Sequence, residues 1–433
     1  MAITRRGFVA GASAALAAGA LGASAAFAQV VDPAEITWDH ETDVVVLGCG
    51  SGGSPAIIDA YDAGNEVLIV EKASWLGGTM RRSGGGIAAA GTCVQKALGV
   101  EDNVEDFYNY LVDCGEGLAD AEMLRVFADR AAADFDWYVQ DIAGQTEKDW
   151  HFVEPLEGVG LIEGHEDGEN GLNIAMRPGL NLGGTPVFFD YYGYKPVPRC
   201  YWFEPNPEDV DDGTRIYAVP GLLGRPDVDT GCGGTGLWKP MQDAIDARDI
   251  PVLYRTTLVS LVKNVCGEVI GAKCLDLETE ATVYIKARKG VIIATGEWQN
   301  NDQMLFDYCL YGWKDEEPAV SSDPGAHTLS VTMAKTTWAT PEQADGAGIL
   351  AGIGAGAATC VMAAGPWKGG LKTDVHAQVL DVEGNPIPRL YASSYAVGGK
   401  QGKNYPHCGL HNMWNMTFGR IAAENVSALE PWC

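Results

Sequence analysis

The stretch Val44-Val45-Val46-Leu47-Gly48-Cys49-Gly50-Ser51-Gly52-Gly53 decides the fold, together with a second apolar run, Val67-Leu68-Ile69-Val70, that ends on Glu71. A short continuous apolar run reads as a strand buried on both faces, and the glycines after it turn the chain into a helix. In a strand, turn, helix and strand that bind a dinucleotide, Gly48 permits the tight turn and Gly50 lets a pyrophosphate approach. Gly53 lets helix and strand pack closely, and Glu71 holds a ribose hydroxyl. A glycine fingerprint alone also suits an ordinary loop between strand and helix. The flanking strands and the spacing to Glu71 favour the nucleotide, and with it an α/β fold class.

Thr4-Arg5-Arg6-Gly7-Phe8 precedes an Ala/Gly-rich apolar run to Ala26-Phe27-Ala28, the pattern of a twin-arginine export signal with a small-x-small cleavage site before Gln29. The run is also long enough for an uncleaved anchor, though its many Ala and Gly make it a poor span. The twin-arginine route carries folded proteins, so a tightly held cofactor loaded before export fits it, and the expected location is periplasmic or extracytoplasmic. The 433 residues suffice for about two domains. The net charge of −28 becomes −30 once Arg5 and Arg6 leave with the signal, which argues against nucleic acid and anionic membranes as partners. Eleven cysteines show no CxxC pair, haem site or regular His/Cys spacing, so no haem, zinc or iron–sulfur site is predicted.

Two further glycine turns, Gly77-Gly78-Thr79 and Ser83-Gly84-Gly85-Gly86-Ile87, lie close to Glu71 and suit a backbone wrapped around an extended ligand, or ordinary loops. Val104 to Val139 is expected to be helical, with Phe107, Leu111, Phe127, Ala131 and Phe135 at helical spacing. From Val153 to Gly234 Gly, Pro and aromatics dominate, giving either a loop-rich cap over a ligand or a small sheet layer. Leu237 to Ala247 reads as a helix and Val252 to Val262 as a strand, and Cys266 to Gly271 turns into another strand. Lys289 to Gly296 is a buried strand with a small-residue turn, Pro388 to Ser393 a further strand, and Met416 to Asn425 a closing helix. The nucleotide domain therefore occupies 40–150, 235–300 and 345–433, after a signal at 1–28, with a cap segment at 151–234 and an insertion at 301–344.

This order of motifs resembles flavin-dependent reductases and dehydrogenases related to the fumarate reductase flavoprotein and to ketosteroid dehydrogenases. The likeness rests on the first glycine turn, Glu71-Lys72, Gly77-Gly78-Thr79, Ser83 to Gly86, Ala294-Thr295-Gly296, Asp345-Gly346, Gly369 to Asp374, and Met416-Thr417-Phe418-Gly419-Arg420. It implies an α/β flavoprotein with two dinucleotide-binding domains and a cap over non-covalent FAD, with adenosine on the first unit and Asp345 near the ribityl chain. The implied cofactor contacts are Gly48, Gly50, Ser51, Gly53, Glu71, Lys72, Gly78, Thr79, Ser83, Gly84, Gly85, Val259, Ala294, Thr295, Gly296, Asp345, Leu410 and His411. No Ser-Gly-Ala-Thr flavinylation motif is visible.

Departures from the family pattern shape the functional expectation. Fumarate reductases carry a long cap segment between the motifs resembling Asp345-Gly346 and Gly369-Gly370, whereas here only Ala347 to Lys368 intervene, so the cap is reduced. In the loop Gly398 to Pro406, Tyr405 stands where the fumarate type has an arginine, and a phenol cannot replace a bidentate guanidinium. Tyr-Pro followed by a glycine is closer to the ketosteroid dehydrogenase pattern. By that likeness the Tyr405 hydroxyl and the Gly409 N–H polarise a substrate carbonyl while hydride moves between flavin N5 and the β-carbon of an enone. One such donor contributes roughly 2.7–4 kcal/mol to the transition state. The alternative for Tyr405 is a buried tyrosine bonded to the backbone. Lys403, His407 and His411 are candidates to give or take a proton. Glu297 and Tyr395 depart from flavin-contacting positions of the family, and Tyr191, Tyr192, Tyr194 and Tyr201 are candidates for further catalytic tyrosines by composition only.

The expectation is an exported FAD oxidoreductase acting on a carbon–carbon double bond conjugated to a carbonyl in a small molecule, with a separate redox protein or quinol-linked membrane partner for its electrons. One alternative is a respiratory reductase of an unsaturated carboxylate, held by Arg199, Arg215 or Arg225. Another is a flavin-binding electron-transfer subunit without its own substrate.

Overall fold

The computed structural model describes residues 29–30, 32–152, 154–155, 174–175, 179–183, 189–204, 233–308, 343–402 and 404–432. The signal expected at 1–28 lies outside them, as do Lys403, Arg215 and Arg225.

The apolar runs form the strands expected of them. In the first unit β1 (His40–Leu47), α1 (Gly53–Asp62) and β2 (Val67–Val70) are followed by α2 (Gly78–Arg82) and β3 (Gly86–Ala88). Helices α3 (Cys93–Ala97), α4 (Val104–Gly115) and α5 (Ala121–Trp137) come next. Then follow β4 (Trp150–Phe152), β5 (Gly179–Gly183), α6 (Phe189–Tyr192), β6 (Cys200–Glu204) and α7 (Gly233–Asp246). The rest comprises β7 (Val252–Leu253), β8 (Thr256–Lys263), β9 (Val269–Asp276), β10 (Thr282–Ile293), α8 (Asp302–Tyr308), α9 (Ala347–Gly354), β11 (Pro386–Ala392) and α10 (Leu410–Ser427).

Five parallel strands stand in the order β7, β2, β1, β10, β11. In chain order this is 3-2-1-4-5, the doubly wound arrangement that leaves its ligand crevice at the carboxyl ends of the strands. The first half of β10 closes an antiparallel meander with β8 and β9, and its second half pairs with β11. Alternation along the strands explains the unbroken apolar runs. Val44, Val46, Val67 and Ile69 enter a core with α1, α5, α7 and α10, while Val45, Leu47, Leu68 and Val70 enter a second core with the meander and α9. Each such aliphatic side chain contributes about 1.5–3 kcal/mol when fully buried.

The helical pair at 104–139 holds, and Phe107, Leu111, Phe127, Ala131 and Phe135 are all buried. Three boundaries differ from expectation. The strand expected over Val252 to Val262 is broken at Tyr254-Arg255, because Arg255 has φ +50°, which a strand cannot continue. As a result β7 and β8 serve different parts of the sheet. Helix α7 begins at Gly233 and α10 at Leu410, upstream of the expected starts, since glycine-rich sequence before each helix reads as turn. In the segment 151–234, the described residues include sheet. Strands β4, β5 and β6 join β3 in a four-stranded sheet, and Tyr201, Trp202 and Phe203 are buried in it as core.

The turn between β1 and α1 is packed backbone to backbone. Gly48 has φ +94°, and a Cβ there would lie 2.5 Å from the Ala294 carbonyl oxygen; one on Gly53 would lie 2.0 Å from the Gly48 oxygen. A Gly53→Ala variant must push α1 off the strand. Overpacking of this kind costs about 1–3 kcal/mol, so equilibrium urea unfolding of Gly53→Ala should show a lower midpoint with an unchanged slope.

Candidate active site

A cleft opens at the carboxyl ends of the parallel strands. Its walls bring together the expected residues Gly48, Gly50, Ser51, Glu71, Lys72, Gly78 and Thr79 from the first unit with Ala294, Thr295, Gly296 and Asp345 from the later parts of the chain. Thr256, Thr257 and Leu258 form the wall beside Val259, and Glu297, Ser394 and Tyr395 complete it. Gly53 does not line the cleft but supports the turn from beneath. Ser83, Gly84 and Gly85 form a tight turn beside it, with the Ser83 hydroxyl donating to the Met80 oxygen at 2.8 Å and the Gly85 N–H donating to that hydroxyl at 3.1 Å.

Glu71 is buried, which pushes its carboxyl upward against the lowering effect of two backbone bonds, from Ala73 N–H at 2.9 Å and Cys49 N–H at 3.1 Å. The carboxylate thus fixes the glycine turn to the end of β2. Across the cleft Lys72 Nζ lies 2.6 Å from Asp345 Oδ2, while Asp345 Oδ1 accepts from Ala347 N–H at the start of α9. Two features fit a dinucleotide here. A Cβ on Gly50 would meet only one atom, 3.8 Å away, so the backbone is open to a ligand at the N-terminus of α1. The buried Thr295 hydroxyl, on a residue that lines the cleft, has no hydrogen-bond partner among the described residues.

Beyond the wall formed by Glu297 and Tyr395 sits a cluster of ionisable groups that sequence reasoning underrated; Lys400, Tyr405, Gly409, Leu410 and His411 do not themselves line the cleft. Lys400 is fully buried, with Nζ 3.0 Å from the Ser394 oxygen, 3.3 Å from Asn415 Oδ1 and 4.0 Å from the centre of the Tyr395 ring. The three ammonium hydrogens are therefore engaged, yet only by neutral groups. Burial lowers Lys400 to about 7 and raises Glu297 to about 7, each opposed by the charge of the other. The Tyr395 hydroxyl lies 3.0 Å from His411 Nδ1. His411, in the first turn of α10 beside Leu410, is held well below its ordinary value by burial and by the charges of Lys400 and Lys368, and its Nε2 has no hydrogen-bond partner among the described residues. Burial lowers Lys368 to about 8. The signals for this cluster were the two family mismatches, Glu297 and Tyr395, and a lysine inside a glycine-rich loop.

Tyr405 packs edge-on against His411, with ring centres 5.1 Å apart. The expected pair of parallel donors is arranged in series: Gly409 N–H donates to the Tyr405 oxygen at 3.2 Å, which leaves the phenolic proton to donate onward. The positive φ of Gly409, +81°, and its contact with β3, where a Cβ would lie 2.5 Å from Ile87 N, require glycine there. Tyr110 of α4, Glu116 just after it and Tyr192 of α6 fix the loop. Tyr110 donates to the Pro406 oxygen at 2.5 Å, and Asn404 donates to Tyr192 at 2.9 Å and to Glu116 at 3.2 Å.

Other candidates have structural positions. His407 does not line the cleft; burial beside the Arg199–Asp102 pair lowers it to about 4, so it is neutral near pH 7. Arg199 is only 2% exposed and makes two bonds to Asp102, at 2.8 and 2.6 Å, so it is committed to that pair and not to a substrate acid. Tyr201 is buried against Thr92, Tyr194 donates to Asp113, and Tyr191 is 78% exposed. Of the four tyrosines offered by composition, Tyr192 alone touches the Tyr405 loop through a hydrogen bond among the described residues.

Comparison with known proteins agrees with this geometry. The FAD binding domain family model matches residues 43–367. Digoxin reductase of Eggerthella lenta is 26% identical over an alignment of 506 residues that covers 93% of this chain and 90% of that protein. That alignment is longer than the 433-residue chain, so segments of the relative have no counterpart here. Urocanate reductase of Eggerthella lenta is 25% identical, covering 90% of this chain and 75% of that protein. The crystal structure of 3-ketosteroid-Δ4-(5α)-dehydrogenase from Rhodococcus jostii RHA1 in complex with 4-androstene-3,17-dione superposes with a TM-score of 0.70 at 18% identity, covering 93% of this chain and 100% of that one, and so shares the fold. A glycine turn open to a pyrophosphate, a carboxylate closing β2 and a family match over most of its length together establish that the chain belongs to the FAD binding domain family and is an FAD-dependent oxidoreductase.

Proposed function

We propose that this chain reduces, or introduces, a carbon–carbon double bond conjugated to a carbonyl in a small organic molecule. The observation that carries the proposal is the series Gly409 N–H, Tyr405 O–H at the start of α10. Bound without a covalent link, FAD supplies hydride transfer at its ring N5. Charge then develops on the substrate carbonyl oxygen, where the Tyr405 proton stabilises it, and the Gly409 N–H polarises the phenol from behind. Burial raises the Tyr405 phenol far above its ordinary value, so it acts as a neutral donor and not as a phenolate. Glu297 and Lys400, both brought near neutrality, supply a protonation route past Tyr395 and His411. Two relatives named as reductases support this chemistry. We further assign the twin-arginine pattern to export, and with it a separate redox protein or quinol-linked membrane partner as the electron source.

A second reading, reduction of an unsaturated carboxylate, draws on Lys368, whose charge reaches His411 and offers a cation in place of the missing arginine. The two readings separate in an anaerobic experiment. The FAD-loaded protein is reduced, enones and unsaturated carboxylates are added separately, and return of the oxidised-flavin absorbance is followed. Enones should reoxidise the protein, and Tyr405→Phe should slow that step roughly a hundred- to thousand-fold. Reoxidation by carboxylates alone transfers the assignment to the second reading, and reoxidation by neither panel to an electron-transfer subunit.

The buried pair also sets a pH dependence of stability. Lys400 ordinarily holds its proton up to 10.5 when unfolded but only to about 7 when folded, so between these values the unfolded chain binds more protons and stability rises with pH. Glu297 acts oppositely: between its ordinary 4.5 and about 7 the folded chain binds more protons, and stability falls as pH rises. Urea unfolding across this range should show the alkaline rise flattened in Lys400→Met and the acidic fall flattened in Glu297→Gln.

A further inference from the structure

One pair of nucleophilic side chains lies outside the reaction described above. Cys200, the first residue of β6, and Cys408, between Tyr405 and Gly409, meet across Gly86 of β3. A Cβ on Gly86 would stand 3.1 Å from Cys200 Sγ and 3.3 Å from Cys408 Sγ, so the two sulfurs flank a single point on β3. The thiols are within hydrogen-bonding reach of each other, and with Trp202 they form a small packed cluster apart from the two main cores. Cys200 is buried and Cys408 half-buried, so Cys408 is the less enclosed residue of the two. Their acidities are split in the same sense. The hydrogen bond from Cys200 pulls the Cys408 thiol below its ordinary value, while burial pushes Cys200 far above it. Cys49, Cys93, Cys114, Cys274 and Cys360 are all raised.

We propose that Cys200 and Cys408 are a redox modification site: a reversible disulfide that staples the loop carrying Tyr405 and Gly409 to the four-stranded sheet of the cap. The oxidant is a disulfide, either a small one such as oxidised glutathione or the disulfide of a thiol-oxidising protein. The Cys408 thiolate attacks one sulfur of that reagent, whose S–S bond breaks, giving a mixed disulfide on Cys408 and one released thiol. Cys200, losing its proton as it reacts, attacks the Cys408 sulfur, forming the Cys200–Cys408 bond and releasing the second thiol. Two protein thiols are oxidised, the reagent disulfide is reduced to two thiols, and the two protein protons end on those leaving groups. Because Cys408 directly precedes Gly409, the bond would hold the N–H that supports Tyr405 in a fixed relation to β3 and β6.

This proposal does not depend on the substrate assigned above. The FAD-loaded full chain is equilibrated in buffers from fully reduced to fully oxidised glutathione, quenched in acid, alkylated with N-ethylmaleimide after denaturation, and digested for mass spectrometry. In the oxidised buffers a Cys200–Cys408 linked peptide should appear, with both residues lost from the alkylated pool, and excess reduced glutathione should restore them. Cys200→Ser should accumulate glutathione on Cys408, whereas Cys408→Ser should leave Cys200 free for alkylation; retained flavin absorbance reports that each variant is folded. Exposed Cys266 is the internal control and should take glutathione in every variant. The proposal is overturned if Cys200 and Cys408 remain fully alkylated in buffers that modify Cys266, or if either is found linked to a different cysteine. The wild-type peptide map decides this even where a variant fails to fold.

Discussion

The structure depends on bare backbone meeting bare backbone at one point. Gly48 touches the end of β10, Gly53 touches Gly48, and Gly419 of α10 touches Gly52, where a Cβ would lie 2.2 Å from the Gly52 oxygen. No side chain fits between these segments, so β1, α1, β10 and α10 converge on a knot a few ångströms across. Charge fastens its periphery. Arg420 donates to Asp59 of α1 at 2.7 Å and to Asp134 of α5 at 2.8 Å, with its guanidinium over the Trp137 ring. The cleft is what remains on the open side of this convergence, which is why its walls come from segments far apart in sequence.

How much of this was legible beforehand follows from the range of the forces involved. The glycine turn, Glu71 and the apolar strands were readable because their requirements are local: a positive φ, an alternation with period two, a carboxylate at a strand end. The helical pair at 104–139 was readable for the same reason. Arg199 was not. On sequence it is a cation in a segment suited to a ligand, and only the fold reveals Asp102 waiting for it across nearly a hundred residues. Lys400 was hidden in the opposite way, since a lysine in a glycine-rich loop reads as solvated until the ring of Tyr395 and the amide of Asn415 are seen around it.

The departures from the fumarate-type pattern form a connected set. With no arginine at position 405, the phenol there is supported by a backbone N–H from its own loop. With tyrosine at 395, the carboxylate nearest that end of the cleft comes instead from Glu297, after the small-residue turn of β10. Lys400 faces that carboxylate from the opposite strand connection, and their mutual attraction offsets part of the burial cost each bears. In place of a charged clamp the site thus has a compensated pair, with Glu297 in the cleft wall and Lys400 behind it.

The order of the strands carries a consequence for how the chain is made. The central strand β1 is among the first described elements in the chain, yet its neighbour β10 ends at Ile293, the wall opposite includes Tyr395, and the helix that locks α1 begins at Leu410. A ribosome that has delivered only the first unit has produced two paired strands and a helix with one apolar face uncovered. The cleft therefore lacks part of its wall until Tyr395 has been made, and closing it brings together segments far apart in sequence, at the entropic cost of the loops between them.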